Sequence, residues 1–92
     1  MRVAMISGWH VHARGYAKQL AARPEVEIAA VYDSDAYWEN GAEKGREWAR
    51  ELGCPFTERY EDILTDASID AVAVCAPTSA HPDVILRAAD AK

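Results

Sequence analysis

Few folds are open to a chain that begins RVAMISGWHVHARGYAKQL, the run from Arg2 to Leu20. Val3, Ala4, Met5 and Ile6 form a short apolar strand pattern that ends at Ser7-Gly8. Beyond the turn, Ala13, Ala17, Leu20 and Ala21 recur at helical spacing. A strand, a tight turn at Gly8 and a helix whose amino end faces back over the strand make an anion site. The unbonded N–H groups of a helix start and the positive end of its dipole both favour a phosphate there. The glycine pattern for a dinucleotide is G-x-G-x-x-G/A, with each glycine or alanine making room for backbone or helix packing. This chain has Gly8, His10 and Ala13 at those places. The first is kept, the third is an allowed small residue, and the middle glycine is lost.

The second strand pattern, Glu27-Ile28-Ala29-Ala30-Val31-Tyr32, ends in Asp33. Asp33 follows Ala13 by roughly 20 residues, the separation at which a dinucleotide fold sets a carboxylate against the adenosine ribose hydroxyl. Turn, helix, strand and terminal acid together are more specific than the glycines alone. The plainer alternative has Asp33 capping the next helix and Gly8 serving only as a turn residue.

The remaining chain repeats the alternation. The first helix is expected over Val11 to Ala22, closed by Arg23-Pro24, because Pro24 cannot continue it. Asp33-Ser34-Asp35 are capping residues for a second helix expected over Ala36 to Leu52. Its apolar stripe is Trp38, Ala42, Gly45, Ala49 and Leu52, and Gly53 ends it in the left-handed conformation. Gly41 and Gly45 each weaken the helix by up to about 1 kcal/mol relative to Ala, which close packing on the sheet would explain. Cys54 to Thr57 reads as a short strand placed at the sheet edge by Pro55. Tyr60 to Leu64 reads as a brief helix. Ala71 to Ala76 is apolar throughout, as expected of a parallel strand covered on both faces. A last helix has Pro82 in its first turn and Val84, Ile85, Ala88 and Ala89 on its buried side.

Strand and helix alternating in this way predict a doubly wound parallel α/β sheet of strand order 3-2-1-4. Its reversal point lies between the first and fourth strands, where ligands bind outside the carboxyl ends. Two loops meet there: Gly8-Trp9-His10-Val11-His12, and Ala76-Pro77-Thr78-Ser79-Ala80-His81. All three histidines of the chain lie in them.

Composition narrows the function classes. The 92 residues are at most one domain, and 50% hydrophobic content suits a folded core. A net charge of −5 speaks against non-specific nucleic-acid binding, which needs a basic surface. No apolar run is long enough to span a membrane. With a strand pattern at the very start, no signal peptide is expected. Cys54 and Cys75 lack metal-type spacing and are expected to be buried free thiols, consistent with a reducing cytoplasm.

The opening RVAMISG, the VYDSD at the end of the second strand, the run FTERYEDILTDASIDAVAVCAP and the segment TSAHPDVILRAA together carry a resemblance. The chain resembles, over essentially its whole length, the N-terminal half of the Gfo/Idh/MocA oxidoreductases, named for glucose–fructose oxidoreductase, inositol dehydrogenase and rhizopine catabolism. The resemblance implies an NAD- or NADP-binding domain. A second α/β domain of the parent would hold a sugar, polyol or related small substrate. Carried onto this sequence, it puts Gly8, Trp9, His10, Val11 and His12 at the pyrophosphate, and Asp33 with Ser34 at the adenosine ribose. Ala76, Pro77, Thr78 and His81 would then line the ribose and nicotinamide side. Asp33 implies NAD over NADP, because its charge repels a 2′-phosphate. His10 departs from the family at the middle glycine, and Tyr16 stands where the family often has histidine. The family's Glu-Lys-Pro segment and its catalytic residues belong to sequence beyond Lys92. Residues 1–92 are therefore expected to be a partial cofactor domain without catalytic residues, not turning over alone, in a cytoplasmic parent that forms homo-oligomers.

Two other readings stand beside this one. In one, His10, His12 and His81 share a zinc ion across the crevice, although H-V-H is a loose spacing and no acidic second shell is evident. Alternatively the domain is a cofactor sensor or binding module without chemistry, since fold alone does not assign function. Trp38 and Trp48 read as helix–sheet packing. Ser7 and Ser79 lack the partners of a nucleophilic triad.

Overall fold

The apolar run after Arg2 becomes the central strand of the sheet. The computed structural model of the chain describes residues 1–77. Their order is β1 (Arg2–Ile6), α1 (Ala13–Ala21), β2 (Glu27–Tyr32), α2 (Gly41–Leu52), β3 (Phe56–Thr57), α3 (Tyr60–Leu64) and β4 (Ala71–Val74). The strands are parallel in the order β3-β2-β1-β4, as expected from the alternation. β1 pairs with β4 from Val3↔Ala71 to Ile6↔Val74. Its pairing with β2 shifts register between Val3 and Ala4, where Ala29 is passed over.

Side chains alternate across β1 and sort the core into two layers. On one side Met5 and Val31 meet Ala13 and Ala17 of α1, and Trp48 and Ala49 of α2. The two alanines are fully buried, so α1 lies close on the sheet. On the other side Ala4, Ile6 and Tyr32 meet Tyr60, Ile63 and Ile69. There Tyr32 and Tyr60 stack with centroids 5.1 Å apart. Helices therefore cover both faces, α1 and α2 on one and α3 on the other.

Several boundaries differ from the sequence expectation, each for a local reason. α1 begins at Ala13 rather than Val11, because His10 accepts the Ala13 N–H in a turn that precedes the helix (2.9 Å). α2 begins at Gly41 rather than Ala36. Ser34 supplies two competing acceptors, its Oγ to the Ala36 N–H (3.1 Å) and its carbonyl to the Tyr37 N–H (3.1 Å). These bonds, one to a side chain and one to the main chain, hold the chain after Ser34 in turns. Asn40 then enters the helix from the left-handed region (φ 55°), and Asp35 Oδ1 accepts the Ala42 N–H at 2.9 Å. At the far end Gly53 has φ 73°, the left-handed stop that the sequence indicated. β3 is only Phe56–Thr57, at the sheet edge, with the Pro55 carbonyl accepting the Val31 N–H (3.0 Å).

β4 ends at Val74 and is half-buried at each position among the described residues, in contrast to the expected strand covered on both faces. The helix expected from Pro82, with Val84, Ile85, Ala88 and Ala89, lies outside the described residues. Cys54 and Cys75 are both free thiols; Cys75 is buried as expected, whereas Cys54, just after the α2 stop, is only half-buried. Among the described residues no helix is long and apolar enough to cross a membrane.

Candidate dinucleotide site

The turn after β1 is built differently from the glycine-turn expectation. Its left-handed residue is Ser7 (φ 70°), not Gly8. Ser7 is fully buried, its N–H donates to the Tyr32 carbonyl (2.6 Å), and its Oγ accepts the Trp9 N–H (3.1 Å). Those bonds hold an L-residue in a conformation that glycine adopts at less cost. Gly8 serves another purpose. A Cβ there would sit 3.2 Å from Trp48 Cε3, so its small size lets the loop lie against α2.

The loop is also tied to the strand across the reversal point. The Cys75 N–H donates to the Ile6 carbonyl (2.9 Å), and the Cys75 carbonyl accepts the His10 N–H (3.0 Å). His10 does not have a positive φ, so its backbone is unstrained, but its imidazole stands where the missing side chain of a glycine would let the backbone approach a pyrophosphate. Its Nδ1 accepts the His12 N–H (3.1 Å), and its ring lies against His12 and Tyr16, with centroids 5.4 and 6.0 Å away. Trp9 and Val11 are exposed.

This bonding accounts for each amide of the loop and first turn except three. The N–H groups of Val11, Arg14 and Gly15 have no acceptor among the described residues. α1 has no side-chain cap and no acidic residue in its first turn. Three free amides at a bare helix start are a donor set for an anion.

Asp33 ends β2 beside this loop, as the spacing indicated. It is fully buried. Oδ2 accepts the Gly8 N–H (3.0 Å) and Oδ1 the Ser34 N–H (2.9 Å), while Trp38 Nε1 donates to both oxygens at 3.2 Å. The ribose-facing and helix-capping readings thus meet in one carboxylate, which joins the loop to its own following turn. Burial pushes the Asp33 carboxyl above its ordinary range. The Gly8 and Ser34 amides, the Ser7 hydroxyl and the Trp38 indole pull the other way without cancelling it.

Next to Asp33 is a cavity of about 120 Å³ between the loop and α2, walled by Trp38 and Trp48 and bordered by Arg14, Lys44 and Glu47. Gly45 makes the floor possible: a Cβ there would be 2.6 Å from Asp33 Cβ and 2.8 Å from a Phe56 ring carbon. Lys44 Nζ lies 4.4 Å from the Trp38 ring centroid. Arg14 pairs with Glu51 and lies over Trp48.

The structure thus brings together Gly8, Trp9, His10, Val11, His12, Asp33 and Ser34. Ala76 is buried and Pro77 half-buried just after the Cys75 anchor. Thr78 and His81 lie outside the described residues. The three-histidine metal reading needs His81 and so falls there too; among the described residues no group of three His, Cys, Asp or Glu side chains is placed to hold a metal. Burial raises the Cys75 thiol, which keeps it protonated and unreactive. Sequence reasoning passed over Ser7, whose positive φ has no sequence signature. It also read Trp38 only as packing, and nothing in its spacing marks it as a partner of Asp33.

Comparison with known proteins agrees with this fold. The model of an oxidoreductase family, Gfo/Idh/MocA, described as an NAD-binding Rossmann fold, matches residues 1–92. The oxidoreductase YrbE of Bacillus subtilis is 31% identical over 78 residues, covering 84% of this chain and 21% of that protein. The myo-inositol dehydrogenase of Lactobacillus casei, solved with NAD(H) and myo-inositol, superposes with a TM-score of 0.80 at 25% identity, over 98% of this chain and 25% of that one. The 3-ketoreductase KijD10 of Actinomadura kijaniata, solved with NADP and TDP-benzene, gives 0.80 at 25% identity, over 99% of this chain and 26% of that one. The chain thus spans between a fifth and roughly a quarter of the length of these relatives.

Proposed function

The chain belongs to the Gfo/Idh/MocA oxidoreductase family as a NAD-binding Rossmann domain, and from that premise we propose that it holds NAD(H) for hydride transfer to or from a sugar, polyol or related small molecule. The observation that carries the reading is the pairing of free amides with a buried acid. The Val11, Arg14 and Gly15 N–H groups are free at the α1 start, where a diphosphate would bind, and the buried Asp33 ends β2, where the adenosine ribose would lie. The residues fit the cofactor in kind: donors where the ligand is anionic, and an acceptor where it carries hydroxyls.

When bound, the nicotinamide supplies the hydride chemistry itself. The protein's share is position and electrostatics. The α1 start would hold the diphosphate with Trp9 and the His10–His12 loop beside it, and Ala76, Pro77, Thr78 and His81 are the residues assigned to the nicotinamide end. No group of this chain is assigned a proton transfer or the grip on the substrate. Relatives at similar distance carry NAD(H) with myo-inositol and NADP with a TDP ligand. NAD is the preferred partner here, because Asp33 repels a 2′-phosphate.

Calorimetric titration of the chain with NAD and NADP tests the reading. NAD is expected to bind, more tightly than NADP. Asp33→Ala should weaken NAD binding and narrow the gap between the two. Absence of binding by either dinucleotide would refute the proposal, and unchanged affinities in Asp33→Ala would remove Asp33 from it.

A further inference from the structure

Asp33 is already saturated before a cofactor arrives. The amides of Gly8 and Ser34 and the indole of Trp38 donate to it at 2.9–3.2 Å, and the Ser7 hydroxyl faces it as well. A carboxylate has about four lone-pair positions. The side chain is fully buried, so a ribose hydroxyl reaches it only by displacing one of these donors. Ser7, Gly8 and Ser34 are poor candidates. The Ser7 side chain is fully buried with its Oγ accepting the Trp9 N–H, and the other two donors are main-chain amides of the turns themselves. Trp38 differs from them. It lies in the turn before α2, is half-buried, and packs over Gly41, where a Cβ would come within 2.6 Å of its Cδ1. The Lys44 ammonium lies over its ring, 4.4 Å from the centroid.

We propose that Trp38 is a specificity-determining residue for the adenosine ribose: in the free chain its indole N–H holds the position on Asp33 that the ribose 2′-hydroxyl takes in the complex. This inference rests on the dinucleotide reading above. A 2′-hydroxyl is a donor and replaces the indole on the carboxylate. A 2′-phosphate offers Asp33 no donor at neutral pH and leaves the indole in place. The exchange lowers the affinity for NAD, because one charge-assisted hydrogen bond is broken as another forms. It leaves NADP untouched.

The test uses the nitrogen-15-labelled chain, with its three indole N–H resonances assigned by triple-resonance spectra, and calorimetry on the wild type and Trp38→Phe. Saturation with NAD is expected to shift the Trp38 indole resonance, and NADP is not. Trp38→Phe should bind NAD about fivefold more tightly than the wild type, with no such gain for NADP. The inference is overturned by an indole resonance that stays put while NAD saturates the chain, by a variant that binds NAD no more tightly, or by an equal gain for NADP. If the variant does not fold, the wild-type resonance decides alone. Failure of the underlying reading looks different: neither dinucleotide then produces binding heat in the wild type.

Discussion

Ser7 and Gly8 divide a task usually given to one glycine. Ser7 takes the left-handed turn, held by the Tyr32 carbonyl, while Gly8 leaves room for Trp48. Both serve to present a backbone amide to Asp33, and that carboxylate gives the residue scale its sharpest prediction. Burial raises its pKa in the folded chain above the ordinary 3.8. An acid of this kind binds its proton more tightly when folded. Its favourable contribution is therefore complete below the unfolded pKa and is lost as pH rises through the folded value. Asp33→Asn does not titrate. Measured by denaturant unfolding, the wild type should gain stability relative to Asp33→Asn as the pH is lowered from 7 toward 4. A gap that is constant, or that moves in the opposite direction, would show that burial does not dominate at this site.

Among the elements, the two helices on the amide-bearing side use small residues for opposite ends. In α2, Gly41 and Gly45 let the helix press against the β2 end: a Cβ on Gly41 would lie 2.2 Å from the Ser34 carbonyl oxygen. In α1, Gly15 has nothing within 4 Å of the place where its Cβ would stand. Gly15→Ala is therefore expected to stabilise the fold by about 0.5–1 kcal/mol, the helix-propensity difference. Gly45→Ala is expected to cost about 1–3 kcal/mol through overpacking against Asp33 and Phe56. Thermal unfolding of the pair distinguishes the two roles. The Arg14–Glu51 bridge between α1 and α2 is more than half exposed at both ends and adds about 1 kcal/mol at most.

For the whole molecule, a chain of 92 residues has a small core, split here by the sheet into two layers. A ligand that bridges the β1–α1 loop and the β2 end ties parts of the structure joined chiefly through the sheet and Asp33. NAD at roughly a hundred times its Kd should stabilise the fold by about 2.7 kcal/mol, raising the unfolding midpoint by on the order of 10 °C. An unmoved midpoint at saturating NAD would contradict the proposed function. Because the net charge is −5, an anionic cofactor is attracted by the local amides and helix start rather than by the protein's overall field.

What could be read without coordinates was whatever depends on periodicity and on short stretches of chain. The parallel sheet, its order 3-2-1-4, the Gly53 stop, and the close packing implied by Gly41 and Gly45 all follow from apolar spacing and turn chemistry. So did the placing of Asp33 beside the Gly8 loop, since strand ends on neighbouring strands are brought together by the pairing itself. The start of α2 was misjudged, because competition between the Ser34 and Asp35 side chains and helix bonds depends on which acceptors fall within reach. The saturation of Asp33 was decided only in three dimensions. Its donors come from Ser7, Gly8, Ser34 and Trp38, and whether they converge on one carboxylate is set by how α2 packs on the sheet. Local patterns specify elements and their order; how many donors share a buried charge is a property of the packed structure.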